Sequence, residues 1–297
     1  MPERPILARL AFAHRYARSA VRERQRELFT SVPPAPHRPD PARWPDDRLT
    51  AAWLGHATVL LNLFGSWIVT DPALESRVGI GRGLAKLGPR RLIAPGLRPR
   101  ELPRVDLLLL SHAHMDHTDL GTLRALPRDL PVLVQRGNRD LVRRFRNVTE
   151  LEWGESVEVA GVHVESIEVR HWGARMVTDS HRGYGGFLLS KAGRTVVFAG
   201  DTAYTDAFAR LRSRGSIDLA ILPVGAYDPW IYNHASPEQA WQMFQALGGE
   251  YLLPIHHSTF RLSREPVDEP IRRLLAAAGE ERWRVALTEV GETWSLK

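Results

Sequence analysis

The most constraining feature of the sequence is the segment Ser111–His117, SHAHMDH, which holds three histidines and one aspartate within six consecutive positions. It follows Val105–Leu110, an apolar run that predicts a buried strand. We therefore expect the histidines on the loop that leaves the carboxyl end of this strand, where alternating side chains can converge on one point. Neutral imidazole and carboxylate groups are ligands that zinc and similar divalent ions take. A polar loop that is rich in histidine by chance is the alternative, and the density of candidate ligands argues against it.

Three later segments each end a strand-like run with a candidate metal ligand. His171 lies at the end of a β-like run, Asp201 follows Val196–Gly200, and His256 follows Leu252–Ile255. Each has a structural explanation when it is taken alone, because a single histidine is often structural and a Gly-Asp pair after a strand is usually a turn. Their common position at strand ends favours one shared metal site.

The HxHxDH order and the three later residues resemble the signature of the metallo-β-lactamase-fold hydrolases. The resemblance implies an α/β fold, a four-layer αβ/βα sandwich with the metals at the edge where its two sheets meet. It also implies two Zn2+ ions per chain and a metal-bridging hydroxide as nucleophile. The ligands that it implies are His112, His114 and His171 for one ion, Asp116, His117 and His256 for the other, and Asp201 between the two.

The same resemblance assigns roles to residues around these ligands. Asp116 is a catalytic candidate whose carboxylate orients or deprotonates the attacking water. His257, beside His256, is a second candidate for the same ligand position, and the sequence alone leaves this choice open. His56 and Asp71, at the ends of early strands, are expected to orient the ligands through hydrogen bonds.

Four flanking segments resemble one branch of this family, that of N-acyl-phosphatidylethanolamine-hydrolysing phospholipase D and ascorbate-6-phosphate lactonase. They are WLGHAT (53–58), LPVGAYDP (222–229), NHASPEQA (233–240) and PIHHSTF (254–260). The last three resemble the phospholipase side more than the lactonase side. The resemblance implies a dinuclear zinc phosphodiesterase of phospholipase D type that acts on N-acyl-phosphatidylethanolamine-like substrates. A lactonase or carboxylic-ester hydrolase on the same metal site is the alternative.

The phospholipase-like segments supply the candidate substrate-binding residues Tyr227, Asn233 and His234. By this resemblance the histidine lies near the phosphate, so His234 is also a catalytic candidate that donates to a phosphoryl oxygen or to the leaving alkoxide. The alternative for Tyr227 is an aromatic side chain packed at a strand exit. Asp119, just after the metal motif, is expected to cap a helix.

The composition favours one catalytic domain. A chain of 297 residues with 43% hydrophobic residues can bury a large core, and we expect residues 49–297 to form the hydrolase domain. The sequence has no cysteine, which excludes disulfides and thiolate ligands and favours a cytoplasmic location. No apolar run has the length of a membrane span or the form of a signal peptide.

Residues 1–48 are predicted to form a basic helical arm and a proline-rich linker. Seven arginines crowd the first 30 residues between apolar side chains in a chain of net charge +6. Such a helix favours peripheral contact with anionic membrane lipids; the alternative is a helix whose apolar face covers its own domain. The expected partner is a small-molecule or phospholipid substrate. Nucleic acid is not expected, because the interval between Asp201 and His256 is too short for the inserted domain of nuclease members of the family.

Apolar runs and turn residues predict the order of the elements. Ser236 and Pro237 form a start signal for one helix, and the glycine- and proline-rich stretch 73–104 is predicted to be a mobile loop over the site. Strands are expected at 50–54, 58–63, 66–70, 106–111, 131–135, 156–170, 185–190, 194–199, 218–223, 251–256 and 292–296, and helices at 119–126, 139–145, 205–214, 237–247 and 270–278.

Overall fold

The computed structural model describes residues 31–81, 83, 86–176 and 179–296. The helical arm predicted within residues 1–30 lies outside the described residues. One mixed sheet has the strand order β13-β1-β2-β3-β4-β5-β6. Its strands are β1 (Leu49–Gly55), β2 (Thr58–Leu63), β3 (Ser66–Thr70), β4 (Leu107–Leu110), β5 (Val132–Gln135), β6 (Val148–Leu151) and β13 (Thr293–Ser295).

A second mixed sheet has the strand order β12-β11-β10-β9-β8-β7. Its strands are β7 (Ser156–Val159), β8 (Val162–Ile167), β9 (Gly186–Lys191), β10 (Arg194–Phe198), β11 (Ile217–Pro223) and β12 (Gly249–Ile255). Strands β3 to β6 run parallel, as do β10 to β12, so several carboxyl ends meet at one edge of each sheet.

The helices connect or follow these parallel strands. They are α1 (Leu120–Ala125), α2 (Ala207–Leu211), α3 (Pro237–Leu247) and α4 (Glu269–Ala278), with the 3-10 helices Pro41–Arg43, Pro99–Glu101, Arg139–Val142, Arg212–Arg214 and Gly279–Arg284. Helix α3 begins as predicted: the Ser236 side chain accepts a hydrogen bond from the Gln239 amide and Pro237 occupies the first turn. No helix in the described part of the chain is long and apolar enough to cross a bilayer.

Strand β4 shows how both faces of the first sheet are covered. Leu107 and Leu109 belong to a core cluster that also contains Phe187 of the second sheet. Leu108 and Leu110 point to the opposite face and pack in a cluster with α1. The second sheet packs its outer face against α3 and α4 in a third cluster. Helices thus cover the outer face of each of two facing sheets, which confirms the predicted four-layer αβ/βα sandwich.

The single strand predicted at 156–170 is wrong in form, because the structure has a hairpin there. Strands β7 and β8 pair in antiparallel register, with Val159 opposite Val162. The two intervening residues, Ala160 and Gly161, have φ angles of 53° and 70°, as a tight hairpin turn of this hand requires. The alternating valines on both sides of the turn concealed it in the sequence.

The helix predicted at 139–145 is also wrong in extent, since only the 3-10 helix Arg139–Val142 forms. One carboxylate oxygen of Glu150 accepts hydrogen bonds from the amides of Gly137, Asn138 and Arg139. Glu150 lies on β6, an edge strand that the sequence did not predict. The contact with this strand fixes the segment in a tighter turn than an α-helix.

Two stretches outside the main elements pack on the domain. In the predicted linker, the His37 amide donates to the Val290 carbonyl at 3.3 Å, and the Trp44 and Trp67 rings stack with centroids 5.4 Å apart. In the stretch 73–104, the Leu92 amide donates to the Thr259 carbonyl at 2.8 Å. The domain boundary at residue 48 and the mobility of the 73–104 stretch stay predictions.

Candidate metal centre

Four loops at the carboxyl ends of strands carry the predicted ligands to one place. The loop Ser111–Thr118, here called the metal loop, follows β4, and His171 lies on the loop after β8. Asp201 follows β10, and His256 directly follows β12. The structure brings all seven predicted ligand side chains together in two overlapping clusters.

The first cluster, called the first ligand set, consists of His112, His114, His171 and Asp201. Nδ1 of His114 lies 2.8 Å from Nε2 of His112 and 3.2 Å from Nε2 of His171. Oδ2 of Asp201 lies 3.9 Å from His112 Nε2 and 3.8 Å from His171 Nε2. Zinc bonds of about 2.0–2.1 Å in tetrahedral geometry separate ligand atoms by about 3.4 Å. The cluster therefore has the dimensions of a tetrahedral metal site.

The second ligand set consists of Asp116, His117, His256 and again Asp201. Oδ2 of Asp116 lies 3.7 Å from His117 Nε2 and 3.5 Å from His256 Nε2. Oδ2 of Asp201 lies 3.1 Å from His117 Nε2 and 3.2 Å from His256 Nε2. The same aspartate oxygen thus faces ligand nitrogens of both sets, which is the geometry that a bridging carboxylate requires.

Gly200 explains how Asp201 reaches this position. Its φ is 61°, and an added Cβ would lie 2.4 Å from the Ser111 side chain. A residue without a side chain is therefore needed where the chain turns out of β10 and passes the metal loop. The Gly-Asp pair, which could have been an ordinary turn, brings the aspartate between the two ligand sets.

Hydrogen bonds fix the orientation of several ligand rings through their second nitrogen. Nδ1 of His117 bonds to Asp71 Oδ2 at 2.7 Å, and Nδ1 of His112 bonds to Ser111 Oγ at 2.8 Å. Asp71 also accepts from the Ser111 amide at 2.7 Å. Nδ1 of His171 bonds to the Asn233 carbonyl at 2.9 Å. These contacts leave the Nε2 atoms pointing into the clusters, which is how metal-binding imidazoles are usually held.

His56 lies beside the second ligand set and supports it through hydrogen bonds, as expected. Its Nε2 bonds to Asp116 Oδ2 at 2.9 Å, and its carbonyl accepts from the His256 amide at 3.1 Å. His56, Asp71 and His256 all have positive φ (55°, 33° and 65°), which is rare for residues with a side chain. Backbone strain of this kind concentrates at functional sites, where the surrounding structure holds it.

Unpaired buried nitrogens support a metal ion at these positions. Nε2 of His117 and Nε2 of His256 are buried, and among the described residues neither makes a well-aligned hydrogen bond, although Asp201 Oδ2 lies 3.1 and 3.2 Å away. Unpaired buried polar atoms are costly, and here both face the oxygen of Asp201. Imidazole and carboxylate are the donors that zinc, iron and manganese accept in proteins. The residues present therefore fit a divalent metal in each set.

Burial and the neighbouring charges set the protonation of the clusters in the protein alone. Burial lowers the pKa of His114 to about 3, so this imidazole is neutral and able to coordinate. For Asp201 burial acts to raise the pKa, but His117 and His256 outweigh it and hold the carboxyl pKa well below its usual range. Burial also acts to lower the pKa of His256, yet Asp201 and Asp116 raise it to about 9. A metal ion would replace the proton that these carboxylates attract.

The contacts of His257 decide between it and His256. The His257 ring packs against Trp53 with centroids 4.4 Å apart, and its Nδ1 bonds to Ser258 Oγ at 2.9 Å. It is not part of any group of described residues with converging ligand atoms. His256 is therefore the residue that faces the centre.

The three candidate substrate residues lie at different distances from the centre. Nδ1 of His234 lies 3.7 Å from Asp201 Oδ2, so this ring borders the clusters. Asn233 contributes its backbone carbonyl to His171. Tyr227 is 7% exposed, and its hydroxyl donates to Glu269 at 2.7 Å. This contact matches the alternative of a packed aromatic at a strand exit.

Sequence reasoning missed two residues that contact the centre. The indole Nε1 of Trp172 contacts Nε2 of His114. Arg175 donates from Nη1 to the carbonyls of Ala113 and Thr118 in the metal loop. The only signal for either residue was its closeness in sequence to His171, because a bond to a backbone carbonyl leaves no motif. Asp119 caps α1 as expected, accepting from the amides of Gly121 and Thr122.

Comparisons with known proteins identify the family. A model of the β-lactamase superfamily domain matches residues 66–257. A Mycobacterium tuberculosis protein named as uncharacterized is 34% identical over 256 residues, 82% of this chain and 68% of its own length. N-acyl-phosphatidylethanolamine-hydrolyzing phospholipase D 1 of Caenorhabditis elegans is 30% identical over 83% of this chain and 75% of its own. The mitochondrial enzyme of the same name from Saccharomyces cerevisiae is 33% identical over 81% of this chain and 54% of its own.

Solved structures agree at the level of the fold. An isothiocyanate hydrolase from Delia radicum gut bacteria superposes with a TM-score of 0.66 at 19% identity, over 83% of this chain and 100% of its own. The diiron β-hydroxylase CmlA of Streptomyces venezuelae gives a TM-score of 0.63 at 19% identity, over 84% of this chain and 54% of its own. The domain match, the aligned relatives and the converging ligands lead to one conclusion. The chain belongs to the β-lactamase superfamily and is a metal-dependent hydrolase of the metallo-β-lactamase fold.

Proposed function

We propose that this protein is a dinuclear zinc phosphodiesterase of phospholipase D type that acts on N-acyl-phosphatidylethanolamine-like lipids. One zinc would be held by the first ligand set and one by the second, with Asp201 shared. When bound, such a pair lowers the pKa of a shared water toward about 7 and so supplies hydroxide at neutral pH. The dinuclear assignment rests on one observation, that a single oxygen of Asp201 lies within 3.9 Å of ligand nitrogens in both sets.

Zinc is the proposed metal because the donors are imidazoles and carboxylates in two compact sets. The sequence contains no cysteine, so thiolate coordination is excluded. Iron and manganese accept similar donors. Elemental analysis of the purified protein therefore identifies the ion.

The proposed substrate class is supported by the named relatives. Two phospholipase D enzymes that hydrolyse N-acyl-phosphatidylethanolamine, by their names, align with more than four-fifths of this chain at 30% and 33% identity. Substrate specificity changes more readily than fold within a superfamily. The surface around the metal centre supplies an independent reason to favour a lipid.

Exposed apolar side chains occur on three loops that carry residues of the centre, and we call them the aromatic rim: Trp172, Tyr204, Trp230, Ile231 and Tyr232. Backbone hydrogen bonds join the three loops that carry them. The Ala203 amide donates to the Arg170 carbonyl, and the Ala235 amide donates to the Thr202 carbonyl, each at 2.8 Å. Tryptophan and tyrosine are favoured at lipid–water interfaces because each ring combines an apolar body with a polar group. The aromatic rim therefore suits a substrate with acyl chains.

The residues at the centre have distinct proposed roles. Asp116 accepts a hydrogen bond from His56 and is proposed to orient the attacking water. His234 is proposed to donate a proton or hydrogen bond to a phosphoryl oxygen or to the leaving alkoxide. The proposal is supported by the position of the ring, whose Nδ1 lies 3.7 Å from Asp201 Oδ2 at the border of both ligand sets.

A substrate panel tests the proposal. Turnover is measured for bis(4-nitrophenyl) phosphate, an unsubstituted lactone, and N-acyl-phosphatidylethanolamine in vesicles. We expect hydrolysis of both diesters and a preference for the lipid. His234→Ala should lower diester turnover by about 10²–10⁴-fold, the usual effect of losing a general acid or base, while two metal equivalents remain. His163→Ala is the matched control, because His163 is exposed and pairs with Glu158 on the β7–β8 hairpin.

The same panel contains the outcome that overturns the proposal. A lactone has one carbonyl oxygen to stabilise and needs less help from an additional imidazole. If the protein opens the lactone efficiently, ignores both diesters and tolerates His234→Ala, the lactonase or carboxylic-ester hydrolase alternative replaces the phosphodiesterase.

A further inference from the structure

Arg175 connects two of the loops that carry metal-binding side chains. It lies four residues after His171, on the loop that follows β8. Its Nη1 donates to the Ala113 carbonyl at 2.7 Å and to the Thr118 carbonyl at 2.8 Å. These carbonyls belong to the metal loop, one between His112 and His114 and the other directly after His117. A single guanidinium nitrogen thus joins two points of the metal loop, Ala113 and Thr118, to the His171 loop.

Two other carbonyls of the metal loop, those of His112 and His114, accept hydrogen bonds from within the loop. The Thr118 hydroxyl donates to the His112 carbonyl at 2.7 Å. The His114 carbonyl accepts from the amides of His117 and Thr118 at 3.1 Å and 2.8 Å. Ala113 and Thr118 are themselves buried, at 0% and 2% exposure. Without Arg175, their carbonyls would lose a charge-assisted donor in a place that excludes water, and the loop would be freer to shift.

The charge of Arg175 acts in the opposite direction to its hydrogen bonds. A cation near a site for two dications repels them, and the low local dielectric strengthens that repulsion. If charge dominated, replacing Arg175 by a neutral residue would tighten metal binding. If positioning dominated, the same replacement would weaken it. The sign of the change in metal affinity therefore separates the two effects.

We propose that Arg175 is a positioning residue for the metal centre: its guanidinium locks the loop of His112, His114 and His117 against the loop of His171. It acts through the metal loop and needs no contact with substrate. The inference concerns the metal centre that the proposed function uses, but it makes no assumption about the substrate.

The test measures affinity for Zn2+ alone by competition with a chromophoric chelator. Wild-type protein is compared with Arg175→Met, Arg175→Lys and the matched control Arg170→Met. Arg170 is exposed on the same loop, next to His171, so its removal changes nearby charge without touching the metal loop. We expect Arg175→Met to weaken zinc binding by about 10–100-fold, the usual effect of losing a residue that orients metal ligands. Arg175→Lys should recover part of the loss, and Arg170→Met should stay within about threefold.

Unfolding in excess chelator keeps the test independent of a folding defect. If Arg175 is a positioning residue, Arg175→Met weakens zinc binding while the unfolding midpoint of the metal-free variant stays close to that of the metal-free wild type. Unchanged or tighter zinc binding by Arg175→Met overturns the proposal. If that variant does not fold, Arg175→Gln decides, because its shorter, neutral side chain cannot bond both carbonyls, and wild-type zinc affinity in Arg175→Gln overturns the proposal as well. Neither readout involves a substrate, so the proposed phosphodiesterase activity can fail while this inference stands.

Discussion

Asp201 is the residue on which the two ligand sets depend, because its Oδ2 lies within 3.9 Å of ligand nitrogens in both. We expect wild-type protein to contain two divalent ions and Asp201→Ala to retain less than one equivalent after dialysis. Turnover should fall by more than about 100-fold, the upper end of the effect of losing residues that only support ligands. Elemental analysis and initial rates measure both.

Asp206→Ala is the control for this substitution, since Asp206 is exposed on the same loop and, among the described residues, its carboxylate accepts a hydrogen bond from the Tyr204 hydroxyl alone. It should keep both metals and wild-type turnover. Two metal equivalents in Asp201→Ala, or less than one in active wild-type protein, would contradict the dinuclear assignment.

At the residue scale, the side chains of the metal centre were easier to predict from the sequence than the backbone groups that support them. All seven predicted ligands converge, because histidine and aspartate after buried strands leave a visible pattern. The Asn233 carbonyl, which orients His171, left none. Tyr227 had two stated interpretations, and the structure shows its hydroxyl bonded to Glu269 and its ring 4.8 Å from the Arg273 guanidinium, as the packed-aromatic alternative expects.

At the scale of elements, α3 links the His234 loop to the core of the second sheet. Its N-cap Ser236 accepts from the Gln239 amide, and Trp241 and Phe244 are buried against the sheet. We expect Ser236→Ala to lower the free energy of unfolding by about 1 kcal/mol, the usual cost of removing such a cap. Urea denaturation of the metal-loaded protein measures this change.

Ser213→Ala provides the comparison, because Ser213 is exposed within the 3-10 helix Arg212–Arg214 and its hydroxyl donates to the Arg210 carbonyl. Surface substitutions of this kind stay within about 0.5 kcal/mol. Equal stability losses in the two variants would mean that the cap contributes nothing specific to α3.

Elements with a strong period or start signal were predictable, and those fixed by tertiary contacts were not. Helix α3 begins and ends as predicted at Pro237–Leu247. Strand β6 was missed because it lies at a sheet edge and only Leu151 of its four residues is fully buried. The segment from Gly137 forms a 3-10 turn because Glu150 on that unpredicted strand binds its amides. Such long-range contacts have no local signature.

At the scale of the whole molecule, the sandwich was predicted from the resemblance to the metallo-β-lactamase-fold hydrolases, and strands with apolar residues on both faces fit a layer on each side. Leu107–Leu110 in β4 is the clearest example, since its leucines fill two different clusters. The N-terminal arm lies outside the described residues, so its role depends on experiment. The cytoplasmic location inferred from the lack of cysteine also stays a prediction.

The arm is tested through its charge and its length. If its arginines bind anionic lipid, each contributes about 1 kcal/mol near the surface, so changing Arg15, Arg18 and Arg22 to Gln should weaken binding to anionic vesicles by about 100-fold. Deleting residues 1–30 should abolish that binding and leave turnover of bis(4-nitrophenyl) phosphate intact, because the metal ligands all lie beyond residue 111. Vesicle co-sedimentation and initial rates measure the two effects.

Equal vesicle binding by full-length and Gln-substituted protein would exclude the electrostatic contact. Unfolding of the truncated protein would instead identify the arm as a helix that covers its own domain.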